Sequence, residues 1–243
     1  MSLQLRHQLF GSLNCVVVES GVRPTVPVIL CHGYGATGND LVSLVEPLAD
    51  WLEDRVERFS FVFPAAPLAP RDMAMYGGRA WWAINMAALL AASETGSFAE
   101  LHDREPPGID QATTALTECL QAIFAEMDSP EQYVLGGFSQ GAMVTMNAAL
   151  RSELPPPKLL VQFSGTVVCR PLWQAALAAE RLAQTHVLQS HGRYDSILPF
   201  QSAEVLRDLL QAAKVSHEFI AFDGPHTIPM EPLMQLAVRL KKF

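Results

Sequence analysis

The residues of this sequence best suited to covalent chemistry are a serine at 139, an aspartate at 195 and a histidine at 226. Gly137-Phe138-Ser139-Gln140-Gly141 is a GxSxG pattern lying between a strand-like run, 133–136, and an apolar helix-like run that starts at Ala142. A serine at the tip of so tight a turn takes a strained backbone conformation. Side chains at the two flanking positions would collide with the neighbouring strand and helix, so glycine is required there. A serine hydroxyl is a poor nucleophile at neutral pH and needs a base whose tautomer is fixed by an acid. His226, in Gly224-Pro225-His226-Thr227-Ile228, follows the last predicted strand, and Asp195, in 191–199, follows the strand before it. Taken singly, each has a plainer reading: a capping serine, a turn aspartate bonded to its own backbone, a solvent-facing histidine. Their joint placement, each at the carboxyl end of a different strand and in the chain order Ser, Asp, His, favours a nucleophile–acid–base set. Asp223 is the rival acid and ranks second, because a residue three positions before His226 on one loop seldom reaches the far ring nitrogen.

Attack on a carbonyl puts negative charge on its oxygen, so backbone N–H donors must already point at that spot. Gln140, immediately after the serine, is expected to supply one and Tyr34, in the loop His32-Gly33-Tyr34-Gly35, the other. His32 is assigned a structural role, bracing that loop by hydrogen bonds. An aromatic and Met-rich stretch carrying Met73, Met75, Tyr76, Trp81, Trp82 and Phe98 lies between a strand and a helix on the same side. It reads either as satellite core under a long loop or as a substrate pocket, with Trp81, Trp82, Met73 and Met75 as its walls.

These groups must be carried by regular elements. Apolar, β-branched runs at 13–19, 26–31, 59–63, 132–136, 158–163, 185–190 and 217–222 read as strands. Helical spacing marks 41–51, with Asn39 or Asp40 as its cap, and 109–127, 142–150, 172–183, 200–213 and 230–240. Continuous apolar strands alternating with helices predict an α/β fold, a mostly parallel sheet covered on both faces. No internal repeat or linker divides the chain, so 1–243 reads as one domain, with 68–108 as a pocket insertion.

Composition agrees with a compact enzyme: of 243 residues, 49% are hydrophobic and 17% charged. A net charge of -8 without any Lys/Arg block argues against a nucleic-acid partner. The mixed polar start, 1–10, resembles no secretion signal, and the longest small-apolar stretch, 86–92, falls far short of the ~20 residues of a membrane span. Cys15, Cys31, Cys119 and Cys169 show neither CxxC pairing nor metal-site spacing and read as buried free thiols, which suits a reducing cytoplasm.

Six ordered segments carry a resemblance. His32-Gly33-Tyr34-Gly35, Phe63-Pro64-Ala65-Ala66-Pro67, Trp81-Trp82-Ala83-Ile84, 136–141, the run from His191-Gly192 through Asp195 to Pro199, and His226-Thr227-Ile228 together span about 28–228. In these the sequence resembles the phospholipase/carboxylesterase family of α/β-hydrolases, the group that includes acyl-protein thioesterases. The resemblance implies hydrolysis of carboxylic esters, lysophospholipids or acyl thioesters, without metal or cofactor. Ala36, Ala65 and Ala83 stand where relatives tend to carry acidic or amide residues, so polar groups around the pocket are not carried over. The expectation is a serine hydrolase that forms an acyl-enzyme on small acyl esters or thioesters. The alternatives are a lysophospholipase or acyl-protein thioesterase acting on lipid substrates, and a non-catalytic acyl-binding module of the same fold. The partners expected are a small-molecule acyl substrate and, in one arrangement, a second copy of the chain.

Overall fold

The computed structural model describes residues 3–70, 76–85 and 98–243. Eight strands form one sheet: β1 (Gln4–Phe10), β2 (Leu13–Glu19), β3 (Val26–Cys31), β4 (Phe59–Pro64), β5 (Val134–Phe138), β6 (Leu159–Phe163), β7 (His186–Gly192) and β8 (Ser216–Phe222). The described helices are α1 (Val45–Leu52), α2 (Ala99–Asp103), α3 (Ile109–Glu126), α4 (Gln140–Arg151), α5 (Arg170–Ala178), α6 (Phe200–Ala212) and α7 (Met230–Leu240). The spatial order is β1-β2-β4-β3-β5-β6-β7-β8. β1 pairs antiparallel with β2 and β2 antiparallel with β4, while every pairing from β4 through β3 to β8 is parallel.

Every residue of β3, β4 and β6 is buried, which explains their mostly apolar runs. Alternation divides the side chains between two cores. Ile29, Val62, Leu135 and Leu160 point to one face, where Leu116, Leu120, Trp173 and Leu206 cover them. Val28, Leu30, Phe61 and Val161 point to the other, under Leu48, Leu52, Leu233 and Leu236. At 25–30 cal/mol per Å² of apolar area, burying one such side chain contributes roughly 1.5–3 kcal/mol, so these two layers dominate the folding energy.

Three elements differ from the sequence reading. β1 was not expected: as an edge strand it exposes Leu5 and Leu9, and its polar alternation carries no apolar signal. The expected helix over 41–51 is a 3-10 turn, Asp40–Leu44, running into α1, and Asn39 occupies its cap position without a side-chain bond. The helix expected to reach 183 ends at Ala178, just before Glu180 takes a left-handed conformation with φ 56°. All four cysteines are free and buried, and Cys15 Sγ lies 3.7 Å from Cys119 Sγ.

The strand order reverses at β3, whose neighbours are β4 on one side and β5 on the other. That switch point leaves a crevice at the carboxyl ends of β3 and β5, the usual place for a site in an open parallel sheet. Cys31, the last residue of β3, pairs with Gly137 of β5. The approach is so close that a Cβ on Gly141 would lie 2.0 Å from the Cys31 carbonyl oxygen and 2.6 Å from that of His32. Both obstacles are backbone, so neither can move aside alone. Gly141→Ala is expected to cost more than about 3 kcal/mol of stability, beyond the usual penalty for overpacking. Urea unfolding measures this, and a loss under 1 kcal/mol would contradict the packing described.

Candidate active site

Ser139 joins β5 to α4 with φ 55° and ψ -119°, a conformation rarely adopted by a residue with a side chain. It is tied down from both sides. Its N–H donates to the Phe163 carbonyl at 2.9 Å, and its carbonyl accepts from Met143 N–H at 3.2 Å. A Cβ on Gly137 would lie 2.4 Å from the Cys31 carbonyl oxygen, so this strained turn is possible only with glycine there. Phe138 lays its ring against that of His226, with centroids 4.7 Å apart.

Asp195 lies three residues beyond β7 in a loop bound to the end of β8. Arg193 N–H donates to Phe222 O at 2.8 Å and Tyr194 N–H to Gly224 O at 3.0 Å. The carboxylate is buried and fully engaged. Its Oδ1 accepts the backbone N–H groups of Ile197 and Leu198, both at 2.9 Å, and its Oδ2 lies 2.6 Å from His226 Nδ1 and 3.1 Å from His191 Nε2. Burial works against ionisation, but the hydrogen bonds from His191, His226 and Leu198 outweigh it and hold the carboxyl well below the usual carboxylate range. With Nδ1 committed to the carboxylate, the other nitrogen of the His226 ring is left for a second partner. Among the described residues no hydrogen bond joins that nitrogen to Ser139 Oγ, although both residues line one cavity. Asp223, the rival acid, is exposed and lies 3.4 Å from Arg193, whereas Asp195 holds the His226 ring.

His32 begins the loop after β3. Its Nε2 accepts from Ala66 N–H at 3.0 Å, so the proton sits on Nδ1, which donates to Gly33 O at 2.8 Å. Burial pushes its pKa down, so this buried ring is a neutral brace rather than a base. Among the described residues the Tyr34 N–H has no backbone partner, and the first helical N–H of Gln140 is left over by helix geometry; both residues line the same cavity.

The Gln140 side chain does a separate job. Its Oε1 accepts from Trp81 N–H at 2.9 Å, and its Nε2 donates to Trp82 O at 2.9 Å. Trp81 turns inward, where its Nε1–H donates to His32 O at 3.0 Å. It therefore supports the loop from beneath and does not border the cavity, contrary to the sequence expectation. Trp82 does border it. Met73 and Met75, also expected as pocket walls, lie outside the described residues.

The cavity over Ser139 measures about 870 Å³ and is mainly apolar, with Phe98, Leu101, Met143, Val167, Val168 and Leu198 around it. Sequence reasoning missed five of these six, naming only Phe98. Val167, Val168 and Leu198 follow the carboxyl ends of β6 and β7, and that position was the signal available for them. Buried His102 also reaches the wall, with Nε2 3.2 Å from Thr166 Oγ1, and nothing in its aperiodic stretch announced it. Among the described residues no cluster of His, Cys, Asp or Glu is arranged to hold a metal ion, and no helix is long and apolar enough to cross a membrane.

An eight-stranded, mostly parallel sheet, flanked by helices on both faces and carrying a strained serine turn at its switch point, defines the fold of an α/β-hydrolase. The profile of the phospholipase/carboxylesterase family matches residues 13–243. The chain belongs to that family and is a serine esterase-type hydrolase. It is similar to acyl-protein thioesterase 1 of Kluyveromyces lactis, 30% identical over 241 residues that cover 95% of this chain and 97% of that protein. Acyl-protein thioesterase 1 of Gibberella zeae is 26% identical over 239 residues, 96% of each chain. Among solved structures, the carboxylesterase of Mesorhizobium loti shares the fold with a TM-score of 0.74 at 15% identity, covering 97% of this chain and 98% of that one.

The buried histidines carry a stability consequence. His32 is lowered by burial, and His217 is pushed down to about 4 by burial and by nearby His186 and Arg207. Below the ordinary histidine value of 6.5 the unfolded chain takes up protons that these folded rings refuse. Stability is therefore expected to fall as pH drops from about 6.5 towards 4. Urea midpoints at pH 7, 6 and 5 test this, and a midpoint that rises on acidification would contradict it.

Proposed function

We propose that the protein hydrolyses carboxylic esters or thioesters of apolar acyl groups, with Ser139 as nucleophile, His226 as base and Asp195 as the acid that orients the base. The observation that carries this reading is the 2.6 Å bond from His226 Nδ1 to a buried, ionised Asp195, made by a ring that borders the same cavity as the strained Ser139. That bond fixes the tautomer in which Nε2 holds a lone pair for the serine proton.

As Ser139 Oγ forms its bond to the acyl carbon, its proton passes to His226 Nε2, and the carbonyl π electrons move to oxygen. The backbone N–H groups of Tyr34 and Gln140 receive that oxyanion. When the tetrahedral centre collapses, the bond to the leaving oxygen or sulfur breaks, and His226 returns its proton to that atom. Water then attacks the acyl-enzyme, giving a proton to His226, which passes it to Ser139 Oγ as the acyl–serine bond breaks and the carboxylic acid is released. The apolar cavity suits a hydrocarbon acyl chain, and its volume lies in the range of small-molecule sites. The relatives named acyl-protein thioesterase 1 support thioesters as substrates beside oxygen esters.

A fluorophosphonate probe is expected to label the protein covalently and to leave Ser139→Ala unlabelled. Asp195→Asn is expected to reduce kcat by about 10³–10⁴, since the amide favours the wrong tautomer of the base. Rates on p-nitrophenyl esters and on thioesters with the same acyl group then rank the two bond types. Labelling of Ser139→Ala, or no turnover of any ester or thioester, would reject the reading.

A further inference from the structure

His191 is a second histidine on the Asp195 carboxylate, and the mechanism above leaves it unused. It lies one residue before the end of β7, with its side chain wholly inaccessible to solvent. Its Nε2 is 3.1 Å from Asp195 Oδ2 and 2.8 Å from the carbonyl oxygen of Leu198. Both partners only accept, so Nε2 carries a proton that it shares between them. Among the described residues its Nδ1 is buried without any hydrogen-bond partner. A proton there would bury an unpaired donor, so the ring is neutral with its single proton on Nε2.

We propose that His191 is a positioning residue of this hydrolase: its Nε2–H fixes Asp195 Oδ2 and moderates the charge that Oδ2 presents to His226. The proposal rests on the Ser139, His226 and Asp195 reading. Without His191, Oδ1 would still be held by two backbone N–H groups, but Oδ2 would be bonded only to the ring whose proton affinity it sets. A carboxylate oxygen that gives up density to a second donor attracts a neighbouring proton less strongly. The Leu198 carbonyl anchors the same N–H, so the loop carrying Asp195 and the donor that restrains it are closed into one unit.

The surroundings leave few other charges to do this. Phe200 packs edge-on to His191, with centroids 6.3 Å apart, and Arg193 lies over that ring while facing Asp223. Asp40, His102, Arg104 and Glu105 also line the cavity, and none of them is bonded to Asp195.

The test compares wild type, His191→Gln and His191→Leu by the pH dependence of kcat/KM on a p-nitrophenyl ester, with fluorophosphonate labelling alongside. His191→Leu is expected to lower kcat about ten- to a hundred-fold, the usual effect of losing a hydrogen bond to a charged group, with KM little changed. Its acidic limb should move upwards by roughly one pH unit, because His226 then holds its proton more tightly. His191→Gln keeps an N–H at the same reach and should restore both rate and limb towards wild type. A fall in kcat with the limb unmoved, or a Gln variant no better than Leu, overturns the proposal in favour of mere packing. Should the Leu variant not fold, nitrogen NMR of the wild type decides: His191 neutral with its proton on Nε2 from pH 5 to 9 supports the proposal, and a Nδ1–H or cationic ring overturns it. Wild type that neither labels nor turns over ester instead removes the underlying hydrolase reading.

Discussion

The end of β3 and the turn after β5 are in backbone contact, and the arrangement of the site follows from that contact. The Cys31 carbonyl stands where a Cβ of Gly137 or Gly141 would be, so the two chain segments approach more closely than any side chain permits. One result is the strained conformation of Ser139, which the surrounding backbone holds through its bonds to Phe163 and Met143. The other is the position of the 32–35 loop, which leaves β3 beside Ser139: a Cβ on Gly33 would lie 3.3 Å from the serine Cβ. A nucleophile and a pair of N–H donors must be correctly spaced before a substrate arrives. In this chain the relative placement of Ser139 and the 32–35 loop comes from the pairing of β3 with β5.

The placement of Asp195 and His226 depends on a second pairing, that of β7 with β8. Gly192 sits opposite Phe222, and the chains beyond them stay joined through Arg193 and Tyr194. Asp195 and His226 therefore move together. The carboxylate is held by four donors in all, two from its own loop backbone and two from imidazoles. That saturation explains why so deeply buried a carboxyl stays ionised against its desolvation cost. His226 and Ser139, one on each of these two pairs, border the same cavity.

What was legible in the sequence is what the backbone demands. Gly137 and Gly141 flag a turn that excludes side chains, and fully buried strands leave apolar runs that anyone can count. Positions just after strand ends were therefore readable, and Ser139, Asp195 and His226 all occupy such positions. Contacts that depend on the path of a turn were not. His191 and Asp195 are four residues apart, and only the fold of 192–195 returns the carboxylate to the imidazole. Trp81 and Trp82 are adjacent and chemically alike, yet one supports the 32–35 loop and the other faces the cavity, a difference of side-chain direction that composition does not encode. β1 escaped notice for the opposite reason, since an exposed edge strand has no dry face to mark it.

Gln140 joins the pocket wall to the reacting end of the site. It follows the serine directly, so its backbone position is set by the strained turn, while its amide holds the backbone of Trp81 and Trp82. Arg79 adds a second attachment, its backbone bonding both Gly35 and Ala36 and its guanidinium reaching Ala66 O at 2.8 Å. The segment around Trp82 is thus anchored to Gln140, the neighbour of Ser139, and to the 35–36 backbone. A shift of Trp82 to admit a bulkier acyl group would pull on two buried hydrogen bonds of Gln140, each costly to leave unmade. The cavity wall at Trp82 and the turn at Ser139 are in this way linked through one side chain.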